Sequence, residues 1–424
     1  MYTSLKLKLV GLPFVVVVAV FPFAMASADE VRLSLDNAEA LALHDDPAIR
    51  MAEARTAALD EQAIAAGQLP DPMFRVGAVS LPTDTFNLGQ EPMTQVQVGV
   101  VQKFPRGQSL SLQQDQYHQY SDSMQAMTQD QRMATLRSVR EAYIEVLLQV
   151  RMGEINANAI SAFADLEDIT QDYYATGKAP QQDVLRASVE LAKVRDRATR
   201  IAQDQDVARA QLALWIGDAA YRPLRADWPD LASVPAAAFL LDGLAQHPRI
   251  RAAQQQVLAA QTGIELARQR YKPELSLDLS YGARGGVNAD GRSRPDLFSA
   301  MLVMDVPLFT AQRQDRIVAA RASESSAATF SRDDTWRQMK SQVQQNAAKL
   351  VRQRERQALF REILLPDASF NAISALEAYQ AAVADLTTLM RARIIEFELQ
   401  LEFAQLQADL LKTQARLLYL GGTS

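Results

Sequence analysis

A stretch of about thirty residues that occurs twice constrains this chain more than any other feature. The first copy, residues 44–72, reads HDDPAIRMAEARTAALDEQAIAAGQLPDP, and the second, residues 247–273, reads HPRIRAAQQQVLAAQTGIELARQRYKP. Pro248 lies 201 residues after Pro47, and Pro273 lies 201 residues after Pro72. Ile49, Arg50 and Ala52 recur as Ile250, Arg251 and Ala253, while the first copy carries two extra residues, Asp45 and Asp46, after its histidine. A helix that opens at one proline and ends before another has been duplicated. Self-similarity at this distance divides the chain into two related halves, so the fold of one half predicts that of the other.

The reading begins after an N-terminal segment set apart from the fold. Lys6 and Lys8 precede an apolar run, residues 9–23, and Ala26-Ser27-Ala28 offers an A-x-A cleavage site. This is the pattern of a secretory signal peptide, residues 1–28, with the mature chain expected to start at Asp29. The apolar run is shorter than the ~20 residues a spanning helix needs.

Each half carries one hairpin of alternating residues. In the first, residues 73–81 (MFRVGAVSL) and 94–104 (TQVQVGVVQKF) flank a polar loop. In the second, ELSLDLSY (residues 274–281) sets Leu275, Leu277, Leu279 and Tyr281 on one face and Glu274, Ser276, Asp278 and Ser280 on the other. A Gly-rich loop leads to a return strand over residues 297–309, with Pro105 and Pro307 read as matching stops. Period-2 alternation predicts strands. Strands of ~9–11 residues suit a transmembrane β-barrel, with Glu274, Ser276 and Asp278 lining a lumen and the apolar face meeting lipid. Four strands in one sheet leave two open edges, which lipid does not tolerate, so closure requires several chains to pool strands. A half-buried sheet in a soluble protein is the alternative on strand pattern alone.

The remainder predicts helices, some very long. Residues 35–69 read as one helix. Residues 108–176 contain no proline and one glycine, Gly153, and would reach roughly 100 Å at 1.5 Å per residue. The turn TGKAPQQD, residues 176–183, reverses the chain. The returning helix carries heptads, with Val184, Leu191, Ala198 and Leu212 at one position, broken by Gln205, and Ala187, Val194, Ile201, Ala208 and Trp215 at the other, a coiled-coil signature. In the second half, residues 311–379 read as a helix interrupted at Pro366. A turn over residues 383–386 leads to a last helix striped by Ala392, Ile395, Leu399, Phe403, Leu406, Leu410 and Leu417. Residues 217–235, with Pro223, Pro229 and Pro235, read as a mostly irregular link. The halves are then 29–235 (helix, hairpin 73–104, helical hairpin 108–216, linker) and 236–424 (helix, hairpin 274–309, helical hairpin 311–420).

Chemistry-bearing motifs are few. The 424 residues include no Cys, which removes disulfides, thiolate metal sites and a lipid-modified N-terminal Cys. The net charge of −6 gives no footprint for nucleic acid. No G-x-x-x-x-G-K-[ST], H-E-x-x-H or G-x-S-x-G occurs, so neither an enzyme nor a cofactor is expected. His44 and His247 precede helix-opening prolines and read as capping or packing residues rather than metal ligands. Arg284, Arg292 and Arg294 read as part of a solvated outer loop. Asp183 beside the first turn and Asp385 in the second are candidates for a gate, since a ring of carboxylates attracts cations; a plain helix-N-terminal aspartate is the alternative for each.

Together, these motifs resemble the TolC-like outer-membrane efflux proteins. The resemblance covers the whole mature chain and rests on the H-D-D-P and H-P helix starts, QLPDPMFRVGAVSLP, MTQVQVGVVQKFP and the tip Tyr174-Ala175-Thr176-Gly177. The LPDPM and QKFP segments look most like the heavy-metal branch, of the cobalt–zinc–cadmium and copper–silver type. The resemblance implies a mainly α chain whose antiparallel coiled-coil helices form a periplasmic α-barrel, and whose four strands join a trimeric 12-stranded β-barrel. It implies an outer-membrane duct that passes heavy-metal cations from an inner-membrane pump of the resistance-nodulation-division type, through a periplasmic adaptor. Gly177, Lys178, Ala179, Val383 and Leu386 at the tip would dock the adaptor. A multidrug or type I secretion duct, or a periplasmic coiled-coil scaffold, are the alternatives. The chain departs from the pattern at Ala382-Val383, where a glycine is usual, so that turn is expected to differ in shape.

Overall fold

The computed structural model describes residues 32–44 and 46–422. The segment read as a signal peptide, with its expected cleavage site, lies outside them. Nine α-helices and four strands follow in the order α1 (Leu35–His44), α2 (Pro47–Ala66), β1 (Met73–Val79), β2 (Gln95–Phe104), α3 (Ser109–Ala175), α4 (Gln181–Ile216), α5 (Ala237–Gly243), α6 (Pro248–Arg268), β3 (Glu274–Arg284), β4 (Leu297–Asp305), α7 (Gln314–Leu359), α8 (Leu365–Gln380) and α9 (Leu386–Leu420) among the described residues.

The strands form one antiparallel sheet in the order β1-β2-β3-β4, so the two hairpins meet at β2 and β3. Its outer edges, on β1 and β4, have no partner strand among the described residues. The two longest helices, α3 and α7, follow the ends of β2 and β4. With 67 residues, α3 reaches roughly 100 Å, and the helical turns at its far end are the parts most distant from the sheet. Against α3 pack α4 on one flank and α9 on another. The heptad positions Ala187, Leu191, Val194, Ile201, Ala208 and Leu212 of α4 are buried, whereas Val184, Ala198 and Trp215 are half-buried. One core lies near the tip, around Phe163, Leu191, Leu389 and Phe397. Another lies midway, where α1 covers Val139, Tyr143 and Leu147 of α3 together with Leu212 of α4.

Four details differ from the sequence reading. Residues 35–69 are not one helix: the chain breaks before Pro47, whose missing N–H and fixed φ start a new one, with Asp46 as its N-cap. Pro366 does not interrupt its helix. A five-residue π-turn, Phe360–Leu364, precedes it, and the chain continues into α8. The wider turn moves aside the carbonyl four residues back, which the proline ring would otherwise crowd. Pro105 and Pro307 do not match. Val101 pairs with Met73 and Asp305 with Glu274, so Pro105 falls four residues beyond its reference pair and Pro307 only two. With no N–H to donate, Pro307 cuts β4 short, whereas β2 runs on to Phe104. The link is mostly irregular, as read, apart from a 3-10 turn, Gly217–Tyr221, and a bridge from Leu224 to Leu33. Ile395, placed in the buried stripe of α9, is 42% exposed.

Candidate functional site

The sheet separates two chemistries by strand alternation. Cross-strand partners share a face, so Phe74, Val98 and Val100 lie with Leu279, Tyr281, Phe298 and Leu302. This apolar face is open: Phe74 is 81% and Leu302 66% exposed. On the opposite face Glu274, Ser276 and Asp278 stand together, as the alternation requires. Asp278 and Ser280 are nevertheless buried by side chains reaching over from neighbouring strands. Arg75 of β1 crosses β2 to place Nη2 2.7 Å from Asp278 Oδ2. It can do so because Gly99 lies between them; a Cβ there would stand 3.1 Å from Arg75 Nε. Gln97 Nε2 donates to Ser280 Oγ at 2.9 Å. At the end of the strands from which α3 continues, Arg106 joins Glu274 and Asp305. The polar face is thus a paired charge network rather than a row of free carboxylates.

At the other strand ends two of the loop arginines are staples. Arg294 Nη1 donates to the carbonyls of Gly89 and Glu91, and Arg284 Nη1 to that of Pro92, locking the two hairpin loops together. Only Arg292 matches the solvated reading, with its side chain 87% exposed.

The two helical turns follow one path. In the first, the N–H of Gly177 donates to Tyr174 O, and those of Lys178 and Ala179 to Tyr173 O. In the second, Ala382 donates to Tyr379 O, and Val383 and Ala384 to Ala378 O. Gly177 has φ +69° and Ala382 φ +59°. The expected difference in shape is therefore absent: Ala382 accepts the left-handed conformation because the flanking helices fix both ends of the turn. Gly177, Lys178 and Val383 are exposed, Val383 at 82%, and Ala179 is half-buried. Leu386 is 1% exposed and sits in the tip core with Leu389 and Met390, so it has no surface to offer an adaptor. As the first residue of α9, it points inward toward the partner helices.

The two gate candidates do not occupy equivalent positions. Asp385 is the N-cap of α9 and accepts from Thr388 N at 2.8 Å; its counterpart in the first turn is Pro180, the N-cap of α4. The hydroxyl and backbone N–H of Thr388 hold the Asp385 carboxyl below the usual carboxylate range. Asp183 lies in the first turn of α4, half-buried. Burial first, then the charge of Asp183, raises the Tyr379 hydroxyl above its ordinary value. The Tyr379 ring stacks on Tyr173 at 5.6 Å, and Lys178 Nζ lies 5.7 Å from the Tyr173 ring centre.

Midway along α3 is a charged cleft that the sequence reading missed. Glu141 and Glu145 of α3 meet Arg416 and Lys412 of α9, and Asp204 and Trp215 of α4 complete a cleft of about 630 Å³. It lies away from the side of α3 that α1 covers. Burial pushes the Glu145 carboxyl up, but hydrogen bonds from Lys412 and Gln149 outweigh it and hold the group below its ordinary value. The available signal was spacing: acids four apart on one helix and bases four apart on another. No cluster of three or more His, Cys, Asp or Glu capable of holding a metal occurs among the described residues.

Residues 40–218 match the outer membrane efflux protein family. Solved structures share the whole fold. CusC, described as forming a transmembrane channel, superposes with a TM-score of 0.79 at 15% identity, covering 93% of each chain. The outer membrane protein VceC of Vibrio cholerae gives 0.76 at 17% identity, covering 92% of this chain and 96% of its own. The CmeC outer membrane channel of Campylobacter jejuni gives 0.77 at 12% identity, covering 92% and 85%. No curated protein sequence matches the chain.

Proposed function

We propose that this chain is the outer-membrane duct of a tripartite efflux system and that it works as a homotrimer. The observation that carries the reading is the four-stranded sheet, with a continuous exposed apolar face and two unpaired edges. Such a sheet is stable in lipid only when its edges are closed. Three copies joined β4 to β1 give twelve strands with no edge, and the long helices then continue the barrel wall into the periplasm. The family match over residues 40–218 and the shared fold of outer-membrane channels support the same reading.

In this arrangement the polar face lines a passive passage, and Glu274, Ser276 and Asp278 contribute to its wall. Gly177, Lys178, Ala179 and Val383 meet a periplasmic adaptor, which couples the duct to an inner-membrane pump of the resistance-nodulation-division type. Asp183 and Asp385 would surround the passage at its far end. Heavy-metal cations are the proposed cargo, on the resemblance of the LPDPM and QKFP segments to the metal-exporting branch.

Membrane placement is tested by Leu302→Arg. A charge on the lipid face near the midplane costs roughly 2–4 kcal/mol, so the variant should be lost from the outer-membrane fraction. Ser299→Asn, on the polar face, should assemble normally. Equal recovery of both variants would overturn the facing. Deletion of the gene followed by growth on a panel of metals and drugs tests the cargo: sensitivity to drugs alone would replace metal export with a multidrug duct.

A further inference from the structure

The two copies of the duplicated helix are capped by different chemistry. In the first half Asp46 caps α2, with Oδ1 accepting from Ala48 N at 2.8 Å and Oδ2 from the Thr135 hydroxyl at 2.7 Å. His44 takes no part in this cap and is exposed, because the two-residue insertion moves the capping position to Asp46. In the second half the capping position, 201 residues on, is His247. Its Nδ1 accepts from Arg249 N at 3.2 Å, and its Nε2 lies 3.0 Å from the carbonyl oxygen of Tyr419. A carbonyl only accepts, so Nε2 carries the proton and Nδ1 keeps its lone pair. The imidazole is neutral, its tautomer is fixed at both nitrogens, and its side chain is 1% exposed.

This residue joins three helices. Tyr419 ends α9, and its hydroxyl donates to Asp130 Oδ1 of α3 at 2.8 Å. The Tyr419 ring meets the imidazole edge-on at 5.2 Å and carries Arg137 on its face at 4.7 Å. The charged groups around the imidazole are Asp130, Arg132 and Arg137 from α3, and Arg249 and Arg251 from α6; Tyr419 is the titratable group from α9. The adjoining turn Leu244–Gln246 brings none. Asp130 Oδ1 is 4.0 Å from Nδ1 and is already engaged by Tyr419.

We propose that His247 is an acid-sensitive latch that ties the start of α6 and the C-terminal end of α9 to α3. A proton on Nδ1 would face the Arg249 N–H donor to donor and remove the cap. The imidazolium could then gain Asp130 only by leaving the cap position and displacing Tyr419. Burial holds the imidazole below its ordinary value, and this outweighs the opposite pull of the Tyr419 carbonyl and Asp130. The sign follows from linkage. The unfolded or opened chain takes up the proton first, so the latch is at full strength above the ordinary histidine value of about 6.5 and weakens as pH falls below it. The α2 cap is made by Asp46 with Ala48 and Thr135 and contains no imidazole, so this proton has no counterpart there. Acid therefore loosens α6 and α9 while α2 stays capped.

The test is hydrogen exchange of the full-length protein in detergent between pH 7.5 and 5, corrected for the intrinsic pH dependence of exchange. Protection at the start of α6 and the end of α9 should fall, by up to about tenfold per pH unit for one linked proton. Protection at the start of α2 should hold. His247→Asn, which caps without titrating, should flatten the profile. Asp130→Asn, which removes the carboxylate that favours imidazolium, should leave the onset in place and extend the loss to lower pH, making it deeper. A wild-type profile flat across this range, or one unchanged in His247→Asn, would overturn the latch.

Discussion

The two tip turns trace the same backbone path with different residues, and what lies behind each turn differs more than the turn itself. After the first, α4 opens with Gln181, which is exposed, and Val184, which is half-buried. After the second, α9 opens with Leu386 and Leu389, 1% and 0% exposed. The first turn has the permissive residue, Gly177, and little core beneath it. The second has the strained residue, Ala382, and a packed core. The contrast shows where the shape of a turn originates. Packed helix ends can hold an alanine at positive φ, at a cost of roughly 1–2 kcal/mol, where an unpacked turn relies on glycine.

Three experiments sharpen or break that contrast, the largest effect first. Leu389→Ala should destabilise the protein by about 2–5 kcal/mol, since it opens a cavity in the tip core. Val184→Ala, at the matching position of the first turn, should cost about 1 kcal/mol. Urea unfolding in detergent measures both, and equal losses would show that the two tips are equally packed. Next, exchanging the turn residues should give opposite signs. Gly177→Ala should destabilise and Ala382→Gly stabilise, each by about 1 kcal/mol, read as shifts of the unfolding midpoint. The smallest effect concerns pH. Asp385 is held below the ordinary carboxylate range, so its cap is fully present above the unfolded value and is lost as pH falls through the lower folded one. Exchange in the first turn of α9 should quicken in acid. Asp385→Asn should remove that dependence, and the first turn of α4, capped by Pro180, should show none.

Much of this architecture was legible because it is periodic. The Gln-Val alternation of β2 and the leucine alternation of β3 predicted strands and faces, and the heptads of α4 predicted its buried stripe. Features set by contact between distant segments were not legible. The Arg75–Asp278 pair needs β1 and β3 to lie one strand apart with Gly99 between them. The burial of Leu386 depends on which way α9 leaves its turn. Asp385 read in sequence as either a gate charge or a helix-N-terminal aspartate, and its engagement with Thr388 depends on the helix starting where it does. His247 and Asp46 hold one structural position although their sequence neighbours differ, since an insertion separates residue type from role.

The π-turn at Phe360–Leu364 has a consequence for the timing of the coiled coil. Counting in sevens along α7, buried or half-buried residues fall at 339, 343, 346, 350, 353, 357, 360 and 364. The same beat would next strike 367, 371, 374 and 378. The buried residues are instead Ala368, Ala372, Ala375 and Tyr379, each one late. The helix carries one residue more than its rhythm allows, and the wide turn absorbs it, as a leap day keeps a calendar in step. Without that slack the extra residue would rotate α8 by about 100° against α9, turning the inward face of the second tip outward.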